Sequence, residues 1–508
     1  MSEEQETELK FTCTREDLPS VKASPLLRQA FDRKAPQRIV STYFDTRDKY
    51  LWKKRVSLRI RKMGEKRLQT LKQETPSPSE RGEWENETPF EAPDFNLLKR
   101  TPLASTFKKK KLRKGLRPRF EIDVERRSGT AGNQSSKIEA AIDEGTILAD
   151  GRRLDLDEVE LELKGGSKLK LFDFARELSR ELPLSLSLIS KAERGFLFSE
   201  GLEKHPAAAT SPNLFKGMRC EDAFAAICHV CLHDFMLNAE ALETADGVEA
   251  VHKGRVAIRR LRAGLRLFKP LVCDDKYKAL DDELKWLSHL FGGARDLDVF
   301  QEKTFLPAAQ RAELPGAPRL ADFTGKKRDD AHAALNSALK SERARTLMID
   351  LLSWIENGSW RQSQAIANAG TISQFARKRL SKKLKKLMKE GEDLETIDPE
   401  ERHTTRIRAK KLRYMASFFE NLPGVTKSTP IARLLNCLEM VQENLGELHD
   451  GEARAEFLET EIDNIFNSGG HAAVFAAGAL SQSVSGREEN HLKKAASAFA
   501  SITRMKPF

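Results

Sequence analysis

The 508-residue chain lacks any long apolar segment. No uninterrupted hydrophobic run approaches the roughly 18 residues of a transmembrane helix, so no membrane span is expected. The opening stretch MSEEQETELK has neither the basic region nor the apolar region of a signal peptide. With 39% hydrophobic and 32% charged residues, these absences predict a globular protein of the cytoplasm.

Cysteine is scarce: the 6 residues are scattered and form no disulfide framework. Cys228 and Cys231 make a CxxC with His229 and His233 close by. The surrounding FAAICHVCLHDFML has the composition of an apolar helix, and no second ligand pair follows at zinc spacing. The pattern therefore favours packing of both thiols in a helical core over a zinc or redox site. Reduced cysteines also fit a cytoplasmic protein.

A glycine-rich phosphate loop of the type G-x-x-x-x-G-K-[ST] is absent, so no nucleoside triphosphate pocket is evident. The net charge of +11 and the isoelectric point near 9.2 suggest an anionic partner. The excess is spread out, because the first 200 residues carry 41 basic against 34 acidic side chains. If an anion is bound, local faces rather than bulk charge must bind it.

Two regions with different hydrophobic periods follow one another, as expected for a chain too long for one core. Up to about residue 200, apolar and polar residues alternate as in antiparallel strands; after about residue 215 the period is that of helices. We predict an α+β protein with an antiparallel β domain over 1–203, a linker over 204–214 and an all-α domain over 215–508.

One face of the predicted strands is almost entirely ionised. In ETELKF the charged Glu6, Glu8 and Lys10 alternate with Thr7, Leu9 and Phe11. The other charged positions on such faces are Arg59, Arg61, Lys72, Asp143, Glu160 and Glu162. Clustered carboxylates suit a hard cation such as Mg²⁺ or Mn²⁺, and clustered Arg and Lys suit phosphate oxygens. A curled sheet with this face inside would bind a metal–polyphosphate ligand; the alternative is a solvated edge strand.

The helical region contains an internal repeat, because HKGRVAIRRLR from His252 corresponds to HTTRIRAKKLRY from His403. Two copies, expected at about 215–365 and 366–508, imply a duplicated helical bundle. On a helical wheel one arc carries only basic residues: His252, Arg255, Arg259, Arg262 and Arg266 in the first copy and His403, Arg406, Lys410 and Arg413 in the second.

This basic arc contains no acid in either copy, which favours a bound polyanion over a solvated face with i,i+4 ion pairs. Nucleic acid is not expected, because the arc has no interleaved aromatic residues for base stacking; Tyr414 is the nearest candidate. A phosphate chain without bases, such as inorganic polyphosphate, fits better.

Taken in order, the motifs of the first half resemble the CYTH family, also called triphosphate tunnel metalloenzymes, and the second half resembles the CHAD domain. The anchoring motifs are E-x-E-x-K at Glu6–Lys10, YFDT at Tyr43–Thr46, SLRIR, TLK, AIDEG, ELEL, and SKAERG with Lys191 and Arg194. The fusion of the two halves resembles bacterial CYTH–CHAD inorganic triphosphatases.

The resemblance implies a closed antiparallel β-tunnel of eight strands that hydrolyses inorganic triphosphate with Mg²⁺ or Mn²⁺. Lys10 and Lys191 would lie at the reacting phosphate, with Lys191 on a helix near the tunnel mouth. The remaining phosphate ligands would be Arg59, Arg61, Lys72, Arg126 and Arg194, and the metal ligands Glu6, Glu8, Asp143, Glu160 and Glu162.

One tunnel arginine departs from the family pattern, since strict alternation puts Arg126 on the same face as Ile122 and Val124. Either a bulge intervenes or Arg127 serves instead. The helical half would bind polyphosphate, as a substrate reservoir or as an address to polyphosphate granules. The alternatives are an adenylate cyclase-type tunnel enzyme acting on ATP and a polyphosphate-binding protein with an inactive tunnel.

Overall fold

The computed structural model describes residues 7–31, 35–74, 81–133, 136–244, 246–310, 314–422, 431–481 and 488–505. The chain divides into two compact units. The sheet unit comprises residues 1–205 and 338–358, and the helical unit comprises residues 206–337 and 359–508. One unit is built on an antiparallel sheet and the other is all helix, which confirms the predicted α+β class with two domains.

The sheet unit contains one antiparallel sheet in the order β5-β4-β3-β2-β6-β7-β8-β1-β9. Its strands are β1 (Thr7–Thr12), β2 (Gln37–Asp45), β3 (Val56–Met63), β4 (Lys66–Glu74), β5 (Arg81–Glu87), β6 (Arg117–Asn133), β7 (Ser136–Ala149), β8 (Arg152–Gly165) and β9 (Ser185–Ser187). Nine strands stand where the family resemblance implies eight. Within the described residues no backbone ladder joins β5 to β9.

Alternation along the strands separates an outer apolar face from an inner face. On β3 the outward Leu58 and Ile60 are buried in a cluster with Phe44 and Leu71. The inner face is apolar at one end, where Tyr43, Phe120, Ile122, Val124 and Phe196 pack together. The other end of the same face is charged. A strand can therefore place apolar residues and then charged residues on the inner face without a break in alternation.

The helices of the sheet unit are Leu18–Ala23, Pro25–Phe31, Phe95–Leu98, Ala104–Phe107, Lys110–Gly115, Lys168–Glu181, Lys191–Ser199 and Glu342–Asn357, with a 3₁₀ turn at Trp52–Lys54. Glu342–Asn357, which the predicted division assigns to the first helical repeat, packs on Lys168–Glu181. Its buried apolar residues face that helix, and Arg176 Nη2 lies 2.6 Å from Asp350 Oδ1.

The helical unit repeats a three-helix motif. Its helices are Cys220–Glu240, Gly247–Val272, Tyr277–Phe300, Leu306–Gln310, Ala317–Lys340 (the last three residues counted with the sheet unit), Gln364–Ala367, Ile372–Glu390, Pro399–Ser417, Ile431–Thr460, Ile462–Ser481 and Glu488–Thr503. A π-helical turn spans Gln301–Phe305 and a 3₁₀ turn Ser359–Gln362. We call Gly247–Val272 and Pro399–Ser417 the first and second basic helices. The helices that precede and follow them correspond in order, as the sequence repeat predicts.

The CxxC lies in the core of the helical unit. Cys228 and Cys231 are fully buried on helix Cys220–Glu240. Burial raises the pKa of the Cys231 thiol to about 12, which disfavours the thiolate needed for metal binding or redox chemistry. No helix of the described residues is both long and apolar enough to cross a membrane.

Candidate active site and anion cavity

The antiparallel register brings the predicted site residues together on the inner face. Lys10 on β1 lies opposite Glu160 on β8, and Glu8 lies opposite Glu162. Arg126 on β6 lies opposite Asp143 on β7. No register shift occurs on β6 between Glu121 and Asn133, so no bulge re-aims its side chains.

Arg126 therefore points inward together with Ile122 and Val124, and the expectation of a bulge or of Arg127 at this position was wrong. The physical reason is that the inner face is apolar at one end, so a charged residue can follow Val124 on the same face. Arg127 is opposite Ile142 in the register and lies on the other face.

An ion-pair network surrounds Arg126. Its Nε and Nη2 each donate to Asp143 over 2.6 Å, and Nη2 also donates to Glu160 Oε2 over 2.5 Å. Lys191 Nζ lies 2.5 Å from Glu160 Oε1, 2.6 Å from Glu158 Oε2 and 3.0 Å from Asp143 Oδ2. Two cations, Arg126 and Lys191, thus contact three carboxylates.

Lys191 comes from a helix, as the resemblance implies. It is the first residue of Lys191–Ser199, whose N-cap Ser190 accepts a hydrogen bond from the backbone of Glu193. One turn later, Arg194 Nη2 donates to Ser187 Oγ over 3.0 Å, and Arg194 Nε lies 3.4 Å from Glu158 Oε1. The helix start therefore positions both predicted cations against β8 and β9.

The electrostatics of this network keep Glu160 and Lys191 charged. Burial by itself raises the pKa of Glu160, but Lys191, Arg126 and Lys10 outweigh it and hold that pKa well below its ordinary value. Burial lowers the pKa of Lys191, but Glu158, Glu160 and Asp143 together raise it well above the ordinary value. Each buried charge is tolerated because an opposite charge contacts it.

Cations are in excess on the neighbouring strands β3 and β4. Burial, then Arg59 and Arg126, lower the pKa of Arg61 to about 10. No carboxylate of the described residues lies within ion-pairing distance of Arg61. Lys72 Nζ lies 2.5 Å from Glu83 Oε2, and Arg59 Nη2 lies 3.9 Å from Glu83 Oε1. Glu83 is therefore shared by Lys72 and Arg59, and the surplus positive charge suits phosphate oxygens.

The sheet is curled so that strands far apart in its order share this interior. Lys10 is on β1, near one end of the strand order, and Lys72 is on β4, near the other end. The positive charge of Lys10 nevertheless contributes, after burial and Arg59, to lowering the pKa of Lys72. The charged faces of both ends thus meet across one cavity, which is what a tunnel requires.

Glu8 and Glu162 together offer carboxylate oxygens, which are suitable ligands for a divalent cation. The two carboxylates lie opposite each other on adjacent strands, with side chains 25% and 24% exposed. At present Lys10 Nζ lies 3.3 Å from Glu8, and Lys164 Nζ lies 2.5 Å from Glu162. Like charges facing each other favour a shared cation.

The metal site is not fully assembled within the described residues. No group of three or more His, Cys, Asp or Glu side chains converges there closely enough to hold a metal. Glu6, the fifth predicted ligand, lies outside the described residues. Asp143 and Glu160 are paired with Arg126 and Lys191, so either would have to exchange a cationic partner for the metal.

Four inner-face residues were not among the predicted site residues: Tyr43, Glu83, Glu85 and Glu158. The segment RGEWENE on β5 alternates glutamates with other residues, a signal that could have identified Glu83 and Glu85. Thr70 Oγ1 donates to Glu85 Oε2 over 2.7 Å. Tyr43 Oη accepts from Arg59 over 3.4 Å, a contact that no periodicity could indicate.

In the helical unit both basic helices line one cavity of about 940 Å³. All nine predicted anion ligands line it: His252, Arg255, Arg259, Arg262, Arg266, His403, Arg406, Lys410 and Arg413. Ten Lys and Arg side chains face the cavity against four Asp and Glu. The duplication thus places the two basic arcs around a common space.

The expectation that these arcs lack acidic partners was wrong for three arginines. Arg255 Nη1 lies 2.6 Å from Asp296, Arg262 Nε 3.0 Å from Asp281, and Arg413 Nη1 2.9 Å from Glu439. These acids come from the helix that follows each basic helix, so a single-helix wheel could not reveal them.

Lys410 differs from those arginines, since no acid of the described residues pairs with it. Burial, followed by Arg259, Arg255, Arg406 and Arg413, lowers the pKa of Lys410 to about 7. A lysine with so low a pKa marks a concentration of uncompensated positive charge.

The two sites define a protein with an antiparallel sheet that has a charged inner face, followed by a duplicated basic helical bundle. The CYTH domain profile matches residues 4–196, and the CHAD domain profile matches residues 226–459. The chain therefore consists of a CYTH domain and a CHAD domain.

Similar proteins cover each part. An inorganic triphosphatase of Haemophilus influenzae is 35% identical over 165 residues, which are 31% of this chain and 45% of that protein. The chain thus spans less than half the length of that curated relative. A crystal structure of the CHAD domain from the plant Ricinus communis is 28% identical, with a TM-score of 0.51 over 59% of this chain and 98% of that one. PptA from Streptomyces chartreusis is 18% identical, with a TM-score of 0.40 over 55% and 99% of the two chains.

Proposed function

We propose that the sheet unit hydrolyses inorganic triphosphate to pyrophosphate and phosphate in a metal-dependent reaction. The observation that carries this proposal is the juxtaposition of two charge clusters on one curled face. Surplus cations at Arg59, Arg61 and Lys72 lie across the same interior from the carboxylates of β1 and β8. The triphosphatase from Haemophilus influenzae, similar over the CYTH region, supports the same reaction class.

The residues of this chain position and neutralise the substrate. Arg59, Arg61 and Lys72 would bind the phosphate oxygens and spread the negative charge that accumulates in phosphoryl transfer. Lys10 and Lys191, each held against Glu160, would contact the phosphate that is cleaved. The apolar cluster around Phe120 closes one end of the interior and excludes water from that side.

A divalent cation would be held by Glu8 and Glu162, with Glu6 as a further ligand and with Glu160 and Asp143 as ligands only after releasing Arg126 or Lys191. When bound, such an ion would supply Lewis-acid stabilisation of the charge on the phosphate and would make water more acidic. Mg²⁺ and Mn²⁺ both suit all-oxygen donors, so we propose either ion.

The test is phosphate release from tripolyphosphate with Mg²⁺ or Mn²⁺, comparing the wild type with the double variant Glu8→Gln/Glu162→Gln. We expect turnover that needs the metal and falls by at least about 100-fold in the variant. Glu125→Gln is the matched control, because Glu125 is an exposed carboxylate on β6 of the same sheet.

The same assay tests the rival functions. Release of cyclic AMP and pyrophosphate from ATP, without phosphate release from tripolyphosphate, would replace the proposal with an adenylate cyclase-type tunnel. A folded wild type that binds long polyphosphate but cleaves neither substrate would identify a binding protein with an inactive tunnel.

For the helical unit we propose binding of inorganic polyphosphate in the central cavity. What supports it is that all nine basic-arc residues, drawn from both copies of the repeat, line one space with a surplus of cations. A polyphosphate presents acceptor oxygens along its whole length, which matches donors arranged around a cavity. Attachment to polyphosphate granules in the cytoplasm would follow from this binding.

The variant Arg259→Ala/Arg406→Ala removes one cavity arginine from each copy. We expect its affinity for long-chain polyphosphate to fall by at least about tenfold, measured by calorimetry without divalent metal. Lys278→Ala/Lys285→Ala removes two exposed lysines from a helix of the same unit and should bind like the wild type. Equal affinity of all three proteins would refute binding in this cavity.

A further inference from the structure

A second basic pocket lies in the helical unit beside the central cavity. Its volume is about 660 Å³. Helix Ile372–Glu390 forms one wall with Arg379, Lys383 and Lys386, and the two basic helices form the others, including Lys269 and Lys411. None of the nine predicted anion ligands except Arg266 belongs to it. We call this space the side pocket.

The charges of the side pocket are of one sign. Seven Lys and Arg side chains line it, and no Asp or Glu does so within the described residues. Arg408 and Lys386 both pair with Glu390, which lies outside the lining, and the other five have no ion pair among the described residues. Arg379 Nε is buried and has no hydrogen-bond partner among the described residues. A buried, unsatisfied guanidinium donor is costly unless a ligand supplies an acceptor.

The pKa shifts of lysines on two walls of the side pocket also indicate an anionic ligand. Burial, then Arg379 and Lys386, lower the pKa of Lys383. Burial, then Arg266 and Lys383, lower the pKa of Lys411. The cations of all three helices therefore repel one another in the absence of an anion.

The side pocket and the central cavity share a boundary made of cations. Arg266 from the first basic helix and Lys411 from the second line both spaces. An anion chain that leaves the central cavity at these two residues meets Lys383 and Arg379 next. The side chains of the exposed Pro270 and the buried Leu412 carry no hydrogen-bonding atoms, so the cationic donors of the lining favour a ligand made of acceptor oxygens.

We propose that the side pocket binds phosphates of a polyphosphate chain that extends out of the central cavity, so that the helical unit prefers long chains over short ones. This proposal rests on polyphosphate binding in the central cavity, as proposed above. It adds a second binding site and a length specificity that the central cavity alone would not produce.

The test uses the full chain and two matched double variants of one helix. Lys383→Ala/Lys386→Ala removes two cations of the side pocket, whereas Lys378→Ala/Lys385→Ala removes two exposed lysines of the same helix that do not line it. All four positions are solvent-exposed, and alanine is a good helix former, so both variants should fold. Binding is measured by calorimetry without divalent metal, for tripolyphosphate and for a chain of several tens of phosphates.

We expect the side-pocket variant to bind the long chain about tenfold more weakly than the control variant, with unchanged affinity for tripolyphosphate. The slope of the logarithm of affinity against the logarithm of salt concentration should also become shallower, because fewer phosphates are neutralised. Since the sheet unit is identical in all proteins, differences between them report on the helical unit.

Three outcomes would overturn the proposal in distinguishable ways. If the wild type binds the long chain and both variants bind it equally well, the side pocket is not part of the binding path while the central cavity proposal stands. If the wild type does not bind the long chain at all, polyphosphate binding by the helical unit itself fails. If the side-pocket variant loses the same factor of affinity for both chain lengths, the two lysines act only through the overall positive charge of the helical unit. That result would also contradict length specificity.

Discussion

The two units handle buried charge in opposite ways. In the sheet unit, Arg126 and Lys191 are surrounded by Asp143, Glu158 and Glu160, and each ion has its counter-ion within 3.0 Å. In the helical unit, Lys410 faces arginines and its pKa falls to about 7. The acids of the sheet interior are thus paired with cations, whereas the helical cavity keeps a surplus of positive charge until an anion binds.

The difference arises from how each fold brings residues together. In an antiparallel sheet, acids on β7 and β8 lie directly opposite bases on β6 and β1, so pairing is built into the register. In the duplicated bundle, two copies of one basic arc approach each other, so like charges meet. Pairing makes a site that stabilises its fold, and duplication makes a site that is completed by its ligand.

The largest effect is expected from Arg126→Ala. It leaves the buried Asp143 and Glu160 with one cation fewer and should reduce the free energy of unfolding by about 3 kcal/mol. Triphosphate hydrolysis should fall about 100-fold, since the acid network also orients Lys191. Thermal unfolding and phosphate release measure the two effects.

The neighbouring Arg127→Ala is the control for that experiment. Arg127 lies on the other face of β6, so its removal should change stability by no more than about 0.5 kcal/mol. A larger loss of activity in Arg127→Ala than in Arg126→Ala would contradict the assignment of Arg126 to the interior.

The second prediction concerns pH and the central cavity. Lys410 titrates near 7 in the free protein, and a bound polyanion would raise that pKa, so binding takes up a proton above pH 7. The dissociation constant should therefore increase with pH, by up to about tenfold per unit, until the pKa of the complex is reached. Burial lowers the pKa of His252 and of His403, so both imidazoles are neutral above pH 7 in the free protein.

Replacing Lys410 with arginine should flatten this dependence, because a guanidinium stays charged throughout. Calorimetry at pH 7, 8 and 9 on the wild type and Lys410→Arg measures the difference. Identical slopes in the two proteins would show that another group takes up the proton.

The third prediction is that removing the cation Lys410 stabilises the protein, whereas removing the cation Arg126 destabilises it. Between pH 7 and 10.5, unfolded Lys410 binds more protons than folded Lys410, so its contribution to stability rises with pH and is unfavourable at pH 7 and below. Lys410→Met should therefore stabilise the protein without ligand by about 1 kcal/mol at pH 7. Thermal unfolding of the variant tests this, and a destabilisation like that of Arg126→Ala would remove the contrast between the units.

The smallest effect is expected from Glu83→Gln. Lys72 Nζ lies 2.5 Å from Glu83, and a phosphate that binds Lys72 must displace this contact. Removing the competing charge should lower the KM for triphosphate by about threefold with little change in kcat. Glu87→Gln on the same strand is the control, since Glu87 is 70% exposed. A raised KM in Glu83→Gln would mean that Glu83 positions Lys72 rather than competing with the substrate.

Much of the site could be predicted because strands and helices expose their faces at fixed periods. Arg59 and Arg61 on β3, or Arg255 and Arg259 on the first basic helix, share a face whatever they pack against. Periodicity could not show which residues line the opposite side of the tunnel interior or of the cavity. The expectation of a bulge at Arg126, or of Arg127 in its place, was wrong for this reason, since nothing local shows that the interior changes from apolar to charged along β6.

The sequence by itself determined the two-domain α+β class, the charged strand faces and the duplicated basic arcs, because these depend on local period and composition. Only the tertiary structure decided which charges are paired. It brought Glu83 to Lys72, Asp296 to Arg255 and three carboxylates to Lys191, and it left Lys410 among arginines. The physical reason is that the energy of a charge depends on its distance to other charges and to water, and those distances exist only after distant segments have packed.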